Sequence, residues 1–117
     1  MKLSVFFKTQ VLAIALIAGI SSCTSPGGRK VAQGPREYIV EIAQMQFNPA
    51  KITVHAGDKV TFVNHDMVTH DVTEDPGKTW SSSQLPVNKS WSMTVSASSD
   101  YYCSLHPVMK GKIIVEQ

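Results

Sequence analysis

The chain is poor in cysteine. Cys23 and Cys103 are the only two cysteines among its 117 residues, which argues against the multiple-disulfide framework of many small secreted domains. The Cys-x-x-Cys-His motif that attaches a c-type haem is absent. A glycine-rich phosphate loop and the spacing of a Ser-His-Asp triad are missing as well. We therefore expect neither haem nor nucleotide chemistry, and we do not expect an enzyme.

Long runs of one charge are also missing. Lys and Arg total eleven against nine Asp and Glu, and two of the eleven, Lys2 and Lys8, belong to a segment that we expect to be removed. The remaining chain then carries nine basic and nine acidic residues and is close to neutral. It contains no basic block interleaved with aromatic residues, so nucleic acid is not an expected partner.

Residues 1–22 have the features of an export signal that is cleaved. Lys2 and Lys8 precede an unbroken apolar run over residues 11–20, and small residues follow it. The run is about half the roughly 20 residues that a membrane-spanning helix needs. The segment Ile20-Ser21-Ser22-Cys23 resembles a bacterial lipobox, which implies cleavage before the cysteine and a diacylglycerol on its thiol. The alternative is an ordinary signal, with the cysteine incidental.

A linker and one domain follow the signal. Residues 23–35 are rich in Gly, Pro and Ser, which is typical of a flexible linker, so we predict a lipid-anchored linker there and a single domain over residues 36–117. In this domain apolar and polar residues alternate, as in Tyr38-Ile39-Val40-Glu41-Ile42, and no helical periodicity with caps occurs. Short alternating segments separated by turns predict an all-β fold, an antiparallel sandwich or barrel.

Three side chains with metal-binding chemistry lie close together near the C-terminus. Cys103, His106 and Met109 form the motif Cys-x2-His-x2-Met. Taken alone, such a cysteine is commonly a small buried hydrophobe, and nucleophilic catalysis by a Cys–His pair is a further alternative. However, His70 lies at the end of another predicted strand, where a sandwich could bring it to the same pole. An exported thiol without a disulfide partner also needs an explanation.

The combination of donors favours copper over zinc. A thioether is a poor ligand for zinc. A thiolate, two imidazoles and a weak thioether suit one copper ion that is stable as both Cu(I) and Cu(II). A dinuclear copper site would need a second cysteine nearby, which the domain lacks.

Two segments, which follow each other along the chain, carry a family resemblance. Residues 47–64 follow the pattern F-x-P-x-x-I-x-V-x-x-G-D-x-V-x-F-x-N, and His70 follows its final residue, Asn64, by six positions. Residues 103–112 have a proline after the histidine and Gly-Lys after Lys110. On these segments the domain resembles the cupredoxins, the family of plastocyanin, pseudoazurin and amicyanin, and it is most similar to amicyanin.

The resemblance implies a fold and a ligand set. The fold would be a cupredoxin-like Greek-key β-sandwich of two sheets. Cys103, His70 and His106 would form a trigonal plane around copper, Met109 would be the long axial ligand, and electrons would leave through the more exposed His106. His65, which directly follows Asn64 at a strand end, is a rival for the upstream ligand, but the resemblance implies that it lies outside the site. An apolar docking patch near His106 would consist of Met67, Val68, Pro107 and Val108. The alternative is that these are ordinary loop residues.

One position departs from the family pattern. Amicyanin and plastocyanin have an asparagine after the first histidine, whereas this chain has Asp71. We expect Asp71 to bond Ser104 across the site, with Asn64 as a further supporting residue. Because groups around the ligands tune a metal, the Asp71 charge should favour Cu(II) and lower the reduction potential.

These observations predict a mononuclear type 1 (blue) copper protein. It would shuttle single electrons between exported redox partners, for example a dehydrogenase and a cytochrome c. The alternative function is a lipoprotein that delivers or buffers copper with the same ligands. We expect a monomer in the periplasm or cell envelope, held at a membrane by a lipid on Cys23. A third alternative is a metal-free β-sandwich module, for which the presence of all four potential ligands in this order would be a coincidence.

Overall fold

The computed structural model describes residues 31–117, together with Gly19, Gly27 and Gly28. The predicted signal peptide, Cys23 and most of the predicted linker therefore lie outside the described residues. Within the described part, residues 31–36 are exposed and have no regular secondary structure. Ala32–Gln117 forms a compact unit. No helix among the described residues is long and apolar enough to cross a membrane.

Eight strands make up the described domain. Most of them coincide with the segments of alternating polarity, whereas the short strands β2 and β5 were not predicted. Both end immediately before a proline, where the sequence signals a turn. The strands are β1 (Glu37–Ala43), β2 (Gln46–Asn48), β3 (Lys51–His55), β4 (Lys59–Asn64), β5 (Thr73–Asp75), β6 (Ser90–Thr94), β7 (Ser99–Tyr102) and β8 (Lys110–Glu116).

The strands form two four-stranded sheets, so the predicted all-β sandwich is confirmed. One sheet has the order β2-β1-β4-β6 and the other β3-β8-β7-β5. Four strand pairs are antiparallel, but β1–β4 and β3–β8 are parallel. The expectation of a purely antiparallel arrangement was therefore wrong. Alternation of apolar residues reveals which face of a strand is buried, but it does not reveal the direction of the neighbouring strand.

The core lies between the sheets and is built from the inward-facing positions. Val40, Ile42, Val60 and Phe62 are fully buried and alternate with polar or more exposed neighbours along β1 and β4. Tyr101 on β7 lies among aromatic rings, with its ring centroid 4.9 Å from that of Phe47 and 5.3 Å from that of Phe62. Such edge-to-face pairs add about 0.5–1.5 kcal/mol beyond simple burial.

Gly111 on β8 makes room for this tyrosine. Gly111 is the cross-strand partner of Tyr101, and a Cβ atom at Gly111 would lie only 2.2 Å from Cζ of the tyrosine ring. The ring thus occupies the space that any other side chain at position 111 would need. Gly111 therefore allows β7 and β8 to pair while Tyr101, two positions before Cys103, is buried in the core.

The pairing of β5 with β7 brings two distant loops together. Thr73 at the start of β5 pairs with Tyr102 at the end of β7. Residues 70–72, which precede β5, therefore lie beside residues 103–104, which follow β7. This register places the upstream histidine next to the C-terminal Cys-x2-His-x2-Met motif.

Candidate metal centre

Three donor atoms converge at one end of the sandwich. Nδ1 of His70 and Nδ1 of His106 are 3.1 Å apart, and each lies 3.7 Å from Sγ of Cys103. Among the described residues, this is the only group of three or more His, Cys, Asp or Glu side chains close enough to share a metal ion. His70 and Cys103 are fully buried, whereas His106 is partly exposed.

The loop between β7 and β8 is closed by its own backbone. The N–H of Cys103 donates to the carbonyl of Met109 (3.1 Å), and the N–H of Met109 donates to the carbonyl of His106 (2.9 Å). The N–H of His106 donates back to the carbonyl of Cys103 (3.2 Å). These bonds close a tight turn, so Cys103, His106 and Met109 all lie in one short loop. Met109 is buried, with 2% of its surface exposed.

His70 is held by its backbone and by its ring. The His70 N–H donates to the Leu85 carbonyl (3.2 Å), and the Leu85 N–H donates to the His70 carbonyl (2.8 Å). The two residues thus form an isolated antiparallel bridge. Its Nε2 atom lies 2.9 Å from Oδ2 of Asp66. Asp66 is not among the site residues predicted from the sequence. Its spacing of four residues before the histidine, together with the frequent pairing of metal-binding histidines with carboxylates, was the signal that could have found it.

Asp66 is fixed by further donors. The Met45 and Met67 N–H groups each donate to its carboxylate at 3.0 Å. The Met45 bond, the His70 ring and the Met67 bond, in that order of importance, hold the pKa of the Asp66 carboxyl below its ordinary value. The Asp66 carboxylate beside Nε2 of His70 is therefore negatively charged at neutral pH.

Asp71 joins the segment that follows His70 to the loop that follows Cys103. Its Oδ1 accepts a hydrogen bond from the Ser104 N–H (2.7 Å), and its Oδ2 accepts one from the Ser104 hydroxyl. The Thr73 hydroxyl also donates to Oδ1 (3.1 Å). The backbone N–H of Asp71 points at Sγ of Cys103, at 3.4 Å. The predicted Asp71–Ser104 bond is thus present.

The other polar residues named from the sequence take separate places. The fully buried Asn64 side chain donates to the carbonyls of Val68 (2.8 Å) and Leu85 (2.9 Å), so it braces the loop that carries His70 without reaching the donor atoms. His65 is about half exposed and lies 3.8 Å from Glu41. His65 therefore lies outside the donor group, in agreement with what the family resemblance implies.

The geometry of the three donors fits a transition-metal ion. For a triangle with sides of 3.1, 3.7 and 3.7 Å, the point equidistant from the corners lies about 2.0 Å from each of them, close to a typical metal–nitrogen bond. Two imidazole nitrogens and one thiol sulfur, with a buried thioether in the same loop, are the donor set of a copper site. The residues present therefore fit copper.

Comparison with known proteins agrees with this geometry. Residues 36–116 match the model of a family described as copper binding proteins, plastocyanin/azurin family. The chain belongs to this copper-binding family. The chain is 30% identical to amicyanin-alpha of Methylorubrum extorquens over 116 residues, which cover 94% of this chain and 96% of the relative. It is 30% identical to amicyanin of Paracoccus denitrificans over 110 residues, which cover 89% of this chain and 82% of the relative.

Solved structures of this cupredoxin family superpose on the domain. A Cu(I) form of an amicyanin variant has a TM-score of 0.64 and 30% identity, covering 74% of this chain and 87% of that chain. A purple cupredoxin from Nitrosopumilus maritimus has a TM-score of 0.62 and 20% identity, covering 67% of this chain and 98% of that chain; this second likeness concerns the fold alone. The predicted cupredoxin fold is confirmed, and copper is the cofactor that both family and donor set indicate.

Proposed function

We propose that this protein is a mononuclear type 1 copper protein that carries single electrons between exported redox partners. The observation that carries the proposal is the convergence of one thiol and two imidazole nitrogens within 4.8 Å of one another. This cluster lies in a fold whose relatives include amicyanins. The protein would be a carrier and not an enzyme, because one such site needs no substrate pocket.

The ligands would be Cys103, His70 and His106, with Met109 as a weaker fourth ligand. Bound copper would supply a one-electron Cu(I)/Cu(II) couple. The protein would contribute a rigid frame, because His70 is hydrogen-bonded through both its backbone and its ring. Asp71 would tie the His70 segment to the Cys103 loop. A frame that holds the donors in place keeps the structural change between oxidation states small.

Electrons would enter and leave through His106, which is partly exposed while His70 is fully buried. Exposed apolar residues follow His106 in sequence, at Pro107 and Val108, and others precede the first histidine ligand, at Met67 and Val68. Met67 and Val108 are 90% and 86% exposed, and Val68 and Pro107 are exposed as well. Such an apolar surface is typical of a protein-interaction site. We propose that these four residues dock redox partners such as an exported dehydrogenase or cytochrome c.

We also propose an exported, membrane-anchored monomer. The support is the sequence alone: the charged and apolar signal segment at residues 1–22, the lipobox-like cysteine at position 23 and the linker that ends at residue 35. A lipid on Cys23 would keep the copper domain at a membrane surface in the periplasm or cell envelope. Mass spectrometry of the mature N-terminus would test this arrangement; a free Cys23 thiol would contradict it.

The electron-carrier proposal is tested by the visible spectrum after addition of Cu(II). We expect an intense thiolate-to-copper band in the chain from residue 24 onward, because Cys103 would bind Cu(II) directly. Cys103→Ala should lose the band. His65→Ala is the matched control, since His65 adjoins the ligand-bearing loop but points away from the donors, and it should keep the band.

The other outcomes separate the alternatives. A colourless protein that binds Cu(I) tightly but not Cu(II) would favour copper delivery or buffering over electron transfer. A band that survives in Cys103→Ala would contradict the ligand assignment. Absence of binding to either copper ion would contradict both functions.

A further inference from the structure

The carboxylate of Asp66 connects a hairpin turn to the buried histidine of the metal centre. Its Oδ2 atom lies 2.9 Å from Nε2 of His70 and accepts the Met45 N–H at 3.0 Å. Its Oδ1 atom accepts the Met67 N–H at 3.0 Å. The Asp66 side chain retains only 18% of its exposure, and the His70 side chain retains none. The contact is therefore largely shielded from competing water.

The backbone of the hairpin turn adopts a conformation in which the Met45 N–H reaches this carboxylate. Gln44 and Met45, between β1 and β2, have φ angles of 51° and 58°. Two successive residues in the left-handed region are the signature of a tight two-residue hairpin turn. Neither residue is glycine, so the conformation carries some strain. The Asp66 bond to the Met45 N–H offsets that strain and at the same time fixes where the carboxylate stands.

The chemistry of the contact decides which His70 nitrogen carries the proton. An ionised carboxylate only accepts hydrogen bonds, so the nitrogen facing it must be the N–H donor. Nε2 faces Asp66, and a neutral imidazole has only one N–H. Nδ1, which faces Cys103 and His106, is then left with a free lone pair. This is the form of the ring that binds a metal through Nδ1.

His106 has no equivalent support. Among the described residues, the hydrogen-bond contacts of its ring involve only Nδ1, which lies near Cys103 and His70. The two histidines of the site therefore differ: one ring is anchored on both sides, and the other is held from one side only.

We infer that Asp66 is a positioning residue, which fixes the tautomer and orientation of His70 so that Nδ1 points at the metal site. The inference rests on the proposed role of His70 as a copper ligand. Asp66 would act through His70 and would not touch the metal. Its action would also differ from that of Asp71, whose contacts are to Ser104, Thr73 and the cysteine sulfur.

The test follows the His70 Nε2 proton by ¹⁵N-edited NMR in the Cu(I)-loaded full chain, which is diamagnetic. In the wild-type chain we expect a slowly exchanging Nε2–H signal. In Asp66→Asn the exchange should be about 10- to 100-fold faster, the factor expected when a charge-assisted hydrogen bond is weakened. A role limited to the hairpin turn would leave this proton unchanged.

Cu(II) affinity, measured by competition with a chelator, is the second readout. Loss of a carboxylate behind a metal-binding histidine lowers metal affinity by about 10- to 100-fold, and we expect a decrease of that size in Asp66→Asn. Asp66→Ser is a second variant in case the first does not fold. Its hydroxyl can still accept the Met67 N–H but is too short to reach His70, so both effects should persist.

Glu41→Gln is the matched control. It removes one negative charge that lies near a histidine outside the donor group, His65, so it should change neither readout. If a folded Asp66→Asn or Asp66→Ser chain keeps wild-type proton exchange and affinity while the wild type shows the thiolate–copper band, the positioning role is overturned and the proposed function stands. If the wild type shows no such band, the proposed function fails and this inference falls with it.

Discussion

Replacing Asp71 with asparagine isolates the effect of one negative charge on the metal centre. An asparagine has nearly the same shape, and its Oδ1 can still accept the Ser104 N–H and the Thr73 hydroxyl, as Asp71 does at 2.7 and 3.1 Å. The Ser104 hydroxyl, which donates to the other carboxylate oxygen, can rotate to accept from an amide. The substitution therefore removes charge with little change in bonding.

The structure bounds the size of the effect. The Asp71 N–H lies 3.4 Å from Sγ of Cys103, and a carboxylate is only a few ångströms from the N–H of its own residue. We therefore take a separation of about 7 Å between the charge and the metal site, at which Coulomb's law gives about 2.4 kcal/mol for an effective dielectric constant of 20 and about 0.6 kcal/mol for water. For a one-electron couple these energies correspond to about 100 and 25 mV.

The expected result is a reduction potential about 25–100 mV higher in Asp71→Asn than in the wild type. The sign follows because a negative charge stabilises the more positive Cu(II) state, so its removal favours Cu(I). The residue is 5% exposed, which places the shift toward the upper end. Redox titration of the copper-loaded protein at pH 7 measures it.

Two controls separate charge from bonding. Ser104→Ala removes the hydroxyl partner without removing charge, so it should shift the potential less than Asp71→Asn. Asp100→Asn removes an exposed charge that pairs with Lys112 at 3.2 Å, and it should leave the potential nearly unchanged. A potential that is unchanged or lower in Asp71→Asn would refute the electrostatic reasoning.

Two further predictions concern stability. Gly111→Ala should lower the free energy of unfolding by about 1–3 kcal/mol in urea titrations, because its Cβ would meet the Tyr101 ring at 2.2 Å. Gly34→Ala, where a Cβ meets nothing within 4 Å, is the control, and equal stability of the two variants would contradict the packing argument. Hydrogen bonds from the Arg36 N–H and, next, the His55 N–H hold the pKa of the Asp58 carboxyl below its ordinary value. Because the folded pKa is the lower one, this contribution to stability is complete above the unfolded pKa of about 4 and is lost as the pH falls through the folded pKa. Thermal unfolding between pH 7 and pH 2 should therefore show an acid loss of stability that is smaller in Asp58→Asn, and identical pH profiles would contradict this.

The strands and their buried faces could be predicted from the sequence because they depend on local alternation. Val40 and Ile42 point inward in β1, and Ile52 and Val54 point inward in β3, as their spacing requires. The turns at Asn48-Pro49 and Asp75-Pro76 likewise follow from residue type. Strands β2 and β5 escaped prediction because three residues are too few to show a period.

Part of the metal centre was also accessible, because Cys103, His106 and Met109 lie within seven residues and their chemistry is evident from their types. The identity of the fourth candidate, His70, depended on family resemblance. His65 was a rival for this place, because it directly follows the strand that ends at Asn64. The structure separates them: His70 is fully buried next to Cys103, whereas His65 is half exposed beside Glu41.

The sequence by itself thus determined the longer strands, their inward faces and the short motif that supplies three potential ligands, since each of these depends on a few neighbouring residues. Only the tertiary structure decided the parallel pairings, the bond of the Met45 N–H to the Asp66 carboxylate, the approach of His70 to Cys103 and the direction of the Asp71 N–H toward the sulfur. The last two contacts join residues that the register of β5 against β7 brings together. Such a register is set by the packing of the whole core, so no local pattern encodes it.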